Sequence, residues 1–166
     1  MINSELHTDS RENKTLIVGL GNTILRDDGI GIYTVRELEK HLDKSHFVIQ
    51  EASMGGLELI DVIADYKEVI IIDSIISENK PIGTLLELGL DDIKGGSAWT
   101  RHQVSLHEAI KLAKKSKINI TNNIRIYGIV VKDISTFSEE CTPEIASSLP
   151  KIVERVKNKI LTWKSH

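Results

Sequence analysis

The segment GLGNTILRDDGIG, residues 19–31, closes an apolar run with two spaced glycines and then sets two carboxylates side by side, Asp27 and Asp28. Glycine turns of this shape often cradle phosphate on backbone N–H groups, but phosphate is anionic and paired carboxylates at the mouth repel it. A cation is the charge that fits. Two more residues are placed to join this corner: Asp73, at the end of the apolar run EVIIID, and His102, within TRHQVSL. Two carboxylates and an imidazole make a ligand set suited to a borderline divalent ion, with positions left open for water or a substrate atom. Each also has a plainer role. Asp27 and Asp28 can cap the helix that follows, and a lone loop histidine is ordinarily a surface residue. A carboxylate ending a buried strand is harder to dismiss, because open α/β sheets bind ligands just beyond their strand ends.

The elements that must position these residues can be read from hydrophobic periodicity. KTLIVGL (14–20) is a continuous apolar run, as expected of a strand buried on both faces. From Asp28 onward Ile30, Ile32, Val35, Leu38 and Leu42 recur at helical spacing. HFVIQEA (46–52) predicts a second strand, and the stripe Leu57, Ile60, Ile63, Ala64 a second helix. EVIIID (68–73) is a strand expected to stop at Asp73, and TLLELGL after the Pro81–Gly83 turn is another. Residues 89–101, with Gly89, Gly95 and Gly96, read as an irregular loop ending at His102, just before an amphipathic helix over 104–116. NIRIYGIVV (123–131) predicts the last strand. In the final helix Thr142 stands at the N-cap and Pro143 at the first position, with Pro150 expected to cause a kink or restart. Alternation of strands and helices predicts a three-layer α/β/α sandwich around a twisted, mainly parallel sheet. Asp28, Asp73 and His102 then share one rim.

The 166 residues suit one domain, expected over 14–166, behind a flexible polar leader at 1–13. Net charge is −3, which disfavours nucleic-acid binding through bulk electrostatics. No apolar run approaches the roughly 20 residues of a membrane span, and the polar first residues lack a signal peptide's apolar stretch. The cytoplasm is the expected compartment. A single cysteine, Cys141, excludes an intramolecular disulfide, and as a nucleophile it has no nearby histidine in sequence. His107–Lys111 (HEAIK) has lysine where a zinc-protease HExxH motif needs its second histidine.

Several segments occur together in a known order: LIVGLGNTILRDDGIG, ASMGGLEL, VIIIDSI, TRHQVSL and IYGIV. In this the chain resembles the nickel-iron hydrogenase maturation endopeptidases, from about residue 15 to about residue 155. The resemblance implies a twisted sheet between helices, and an endopeptidase that removes a C-terminal extension from the hydrogenase large-subunit precursor after nickel insertion. It implies that Asp28, Asp73 and His102 contact the nickel, Asp28 rather than Asp27 because the second acid of the pair is the family's ligand. The nickel would be borne by the substrate, and another divalent metal could occupy the site in isolation. The same three residues carry the catalytic expectation. Hydrolysis would use a metal-polarised carbonyl, a metal-activated water, or one Asp as general base. The partner implied is the precursor, with no nucleic acid and no membrane insertion. There are two departures. Cys141-Thr142-Pro143 replaces a Leu-Ser-Pro-like step, with the hydroxyl residue before Pro kept as a cap and little consequence expected. The acidic residue commonly seen soon after the glycine of IYGIV is missing, which bears on recognition of the substrate tail.

Three other readings fit parts of the pattern. A phosphoacceptor receiver domain has an acidic pair near its first strand and an Asp ending its third, but its pair abuts the strand, whereas GNTILR intervenes here. Peptidyl-tRNA hydrolase shares GLGN and TRH, but with a proline after GLGN where this chain has Thr23, and with a much shorter interval. A non-catalytic metal-binding module would use the same three ligands and leave a precursor intact.

Overall fold

Six residues that are all buried, Thr15–Leu20, form strand β1, and the sheet is assembled around it. The computed structural model describes residues 11–53, 57–93 and 101–165. The remaining strands are β2 (Phe47–Ala52), β3 (Glu68–Ile76), β4 (Leu85–Gly89) and β5 (Ile124–Val131). The helices are α1 (Ile30–Glu39), α2 (Leu57–Ile63), α3 (Arg101–Lys115) and α4 (Pro143–Lys164). The spatial order is β2-β1-β3-β5-β4, parallel throughout except that β4 runs antiparallel to β5 at one edge.

The period of two in β1 and β3 divides the core into two layers. Leu16, Val18 and Leu20, with Val69 and Ile71, face α2 and α3 through Leu59, Ile63, Leu106 and Ala113. Ile17, Ile70 and Ile72 face the other way, against Ile30, Val35 and Leu38 of α1 and Ile152, Val156 and Ile160 of α4. The strands read as unbroken apolar runs because helices cover both faces. This is the α/β sandwich that the sequence predicts. Burial of such side chains, at about 1.5–3 kcal/mol each, is the main term holding the layers together.

Four local expectations are corrected. β3 does not end at Asp73; it continues to Ile76, because Asp73–Ile76 still pair with Gly128–Val131 of β5. α3 begins at Arg101, so His102 lies in its first turn rather than in a preceding loop. Asp27 and Asp28 cap no helix. They sit in a 3-10 turn, Arg26–Gly29, and α1 starts after it with no side-chain cap. α4 does not restart at Pro150 but continues through it as one helix; Pro150 is exposed, so the carbonyl deprived of an N–H there can turn to water. The loop expected over 89–101 contains a short 3-10 turn at Leu90–Ile93, and its residues 94–100 lie outside the described residues.

Candidate active site

The sheet reverses its winding between β1 and β3. From β1 the chain crosses to β2 on one side, and from β3 it proceeds towards β5 and β4 on the other. Such a switch point opens a crevice at the carboxyl ends of the two strands. Pairing of β1 with β3 stops at Gly19 and Ile72, so Asp73 is the first β3 residue beyond it.

Two close backbone approaches bring the RDDG turn to this crevice. Gly21 has φ +151, and a Cβ built on it would lie 2.0 Å from the Asp28 carbonyl oxygen. A Cβ on Gly31 would lie 2.4 Å from the carbonyl oxygens of both Leu20 and Ile72. Only glycine lets the start of α1 wedge over the ends of β1 and β3 at that distance. The glycines thus serve close packing of backbone on backbone, and the acidic pair is carried to the rim as a consequence.

The two adjacent aspartates have separate jobs. Asp27 is fully buried. Its carboxylate accepts hydrogen bonds from the Thr142 N–H at 2.7 Å, the Thr142 hydroxyl at 3.0 Å, and the backbone N–H groups of Asp133 at 3.1 Å and Lys132 at 3.3 Å. It fastens the turn to the end of β5 and places a negative charge at the N-terminus of α4, where the helix dipole favours one. The Thr142 hydroxyl, expected to cap α4, is directed to Asp27 instead.

Asp28, 4% exposed, turns to the crevice. Its Oδ2 accepts the Asn22 N–H at 2.9 Å, and its Oδ1 accepts the Ser74 hydroxyl at 3.2 Å. The Ser74 N–H donates to Asp73 Oδ1 at 2.8 Å. One buried serine therefore contacts both carboxylates, and it brings together residues 28 and 73 from separate elements. Ser74 escaped the sequence reading, since a serine after a strand-end aspartate carries no distinguishing signal.

The alternation along β3 sets which layer each group addresses. Val69 and Ile71 pack with α3, so Asp73, two residues on, is directed to that same face; Ile70, Ile72 and then Ser74 face the α1 side. The end of α3 lies at the base of the sheet, where the next segment meets the start of β3 through Asp65 N–H to Asn119 O and Val69 N–H to Asn123 O. Its first turn, about 20 Å away along the helix, lies at the carboxyl rim and contains His102. The His102 side chain falls outside the described residues. Among the described residues no cluster of three or more His, Cys, Asp or Glu is placed to hold a metal ion.

Cys141 is half-buried, and its thiol lies 3.8 Å from the Arg26 carbonyl oxygen. Burial, and then the nearby Asp27 charge, push it up to about 11, so it stays a neutral thiol at ordinary pH. That is the reverse of an activated nucleophile.

An open, mainly parallel sheet with buried acids in its switch-point crevice is an α/β ligand-binding scaffold, and comparison with known proteins makes the class specific. Residues 32–159 match the hydrogenase maturation protease model HycI, and the chain belongs to that family. It is accordingly a peptidase. It is similar to the hydrogenase 2 maturation protease of Escherichia coli, with 23% identity over 86% of this chain and 88% of that protein. It is similar also to the putative hydrogenase maturation protease MJ0253 of Methanocaldococcus jannaschii, with 26% identity over 90% of this chain and 98% of the relative. The solved structure of the E. coli hydrogenase maturating endopeptidase HybD has the same fold, with TM-score 0.71 at 22% identity over 86% of this chain and 89% of that one. The family match includes Asp73 and His102 and begins after Asp28. No helix among the described residues is long and apolar enough to cross a membrane.

Proposed function

We propose that this peptidase removes a C-terminal extension from the large-subunit precursor of a nickel-iron hydrogenase after nickel insertion, and that Asp28, Asp73 and His102 contact the substrate's nickel. The observation that carries this reading is the pairing of Asp28 and Asp73 through Ser74 at the switch-point crevice. Two carboxylates held against one residue make a corner where a cation is favoured. Asp28 approaches from the α1 layer, and Asp73 faces the layer of the helix that bears His102. A metal carried in by the substrate would thus be met from both sides of the sheet, which fixes the position of the peptide beside it. The family supplies the reaction type, and the acidic corner supplies a reason for metal-loaded substrate to be preferred.

Hydrolysis adds the elements of water across one peptide bond. The carbonyl carbon gains the hydroxyl as its C–N bond breaks, and the departing nitrogen takes the proton. Two routes fit the groups present. In one the substrate's nickel polarises the carbonyl or lowers the pKa of a water. In the other Asp28 or Asp73 accepts the proton from the attacking water. The Asp27 carboxylate is committed to Thr142, Asp133 and Lys132, and so it is excluded from either role.

Co-expression with a hydrogenase large subunit tests the reading by mass spectrometry. The expected result is loss of a C-terminal peptide with the unaltered protein, and an intact precursor with Asp28→Ala, Asp73→Ala or His102→Ala. A folded variant of all three positions that still processes the precursor would end it. Binding of nickel by the unaltered protein with no processing would leave a metal-binding module in its place.

A further inference from the structure

Two exposed apolar side chains flank the turn that carries Asp28. Phe137 is 82% exposed and Ile24 is 47% exposed. They come from distant parts of the chain but are held as neighbours by a parallel bridge between Leu25 and Ser138. Ser138 N–H donates to Ile24 O at 3.0 Å, and Arg26 N–H donates to Ser138 O at 2.9 Å. Ile24 and Phe137 each precede a bridged residue, so the bridge holds them at matching positions in the two segments. The fold commits firm contacts to keeping this loop in place. Arg26 adopts φ 49, at a cost of about 1 kcal/mol for a non-glycine residue, and Tyr33 of α1 donates its hydroxyl to Glu139 O at 2.6 Å.

The pair is also continuous with the acidic crevice. Ile24 N–H donates to Asn22 Oδ1 at 3.1 Å, and the N–H of that same Asn22 holds Asp28 Oδ2. The bridge runs directly into Asp27 and Asp28. A polypeptide whose metal reaches Asp28 comes close to this loop. Two apolar side chains standing together beside a polar crevice offer a small contact surface at its edge.

Building on the function proposed above, we propose that Ile24 and Phe137 form a docking surface for the precursor polypeptide, taking an apolar side chain of the segment next to the metal. Because the patch is anchored to the Asn22–Asp28 turn, docking there sets the distance between the seated segment and the carboxylates. The contact is made equally in the bound substrate and in the transition state, so its loss raises KM and leaves kcat unchanged.

The test uses the whole protein with Phe137→Ser and, separately, Ile24→Ser. Both positions are exposed and remote from the core, so circular dichroism and thermal melting are expected to match the unaltered protein. Cleavage of nickel-loaded precursor is expected to show KM raised on the order of ten-fold for Phe137→Ser, a smaller rise for Ile24→Ser, and kcat unchanged in both. Affinity for the precursor, measured by calorimetry, is expected to weaken by the same factor. That readout does not need a bond to be cut, so it judges the surface even where the cleavage reading fails. Unchanged KM and affinity in both variants would overturn the docking role. So would a change confined to sedimentation, with dimer lost and KM unmoved, since the occupant would then be a second copy of this chain.

Discussion

Replacing Asp27 or Asp28 by alanine separates two neighbours of identical chemistry. Asp27 is wholly buried and accepts bonds from donors on Thr142, Asp133 and Lys132. Asp27→Ala leaves those donors without their acceptor where water has little access. Bonds to a charged partner contribute about 1.5–3 kcal/mol each, and they are not additive. Counting only the Thr142 and Asp133 N–H groups gives a loss of about 3–5 kcal/mol, or a fall in melting temperature on the order of 10 °C for a domain of this size. Asp28 accepts only from Asn22 and Ser74 among the bonds described here, and it borders the crevice. Its two donors can turn to water at the crevice, so Asp28→Ala is expected to cost about 1–3 kcal/mol, less than Asp27→Ala, while abolishing processing. The assay is urea unfolding of both variants together with precursor cleavage at a temperature where both are folded. Asp27→Ala with undiminished stability, or Asp28→Ala unfolding more easily than Asp27→Ala, would refute the division of labour.

Gly21→Ala places a Cβ 2.0 Å from the Asp28 carbonyl at a φ that L-residues rarely adopt. It should cost roughly 2–4 kcal/mol and displace Asp28, so that stability and cleavage fall together; an alanine variant that melts with the unaltered protein would contradict the packing argument. The Cys141 thiol, pushed up to about 11 by burial and by Asp27, should react with iodoacetamide at pH 8 on the order of a hundred-fold more slowly than an open thiol. The sign is that of an acid held neutral: the rate rises with pH until about 11, and denaturant restores ordinary reactivity, whereas a plateau near pH 8 would mean an exposed thiolate.

Which parts of this arrangement show in the sequence follows from how local their causes are. β1 and the body of β3 are legible because apolar runs covered on both faces leave no room for alternation, and the rim position of Asp28 and Asp73 follows from strand ends in a parallel sheet. The true end of β3 is not legible, since Asp73 interrupts the apolar run while the ladder with β5 continues through Ile76. Asp27 reads as a helix cap because its partners lie 105 to 115 residues away, and nothing in RDDG distinguishes a carboxylate bound across the fold from one bound to its own helix. The start of α3 is hidden for a related reason: Arg101, His102 and Gln103 are polar and give the helical period nothing to register. The pairing of Ile24 with Phe137 depends on a single bridge between two loops, a contact that no periodicity encodes.

Purified enzyme added to nickel-loaded and nickel-free precursor, with the released peptide quantified over time, puts the role of the acidic corner to the question directly. Cleavage of the loaded form alone, lost in Asp28→Ala and in Asp73→Ala while both remain folded, is the expected result. Equal cleavage of the two precursors by the unaltered enzyme would show that the carboxylates do not read the metal.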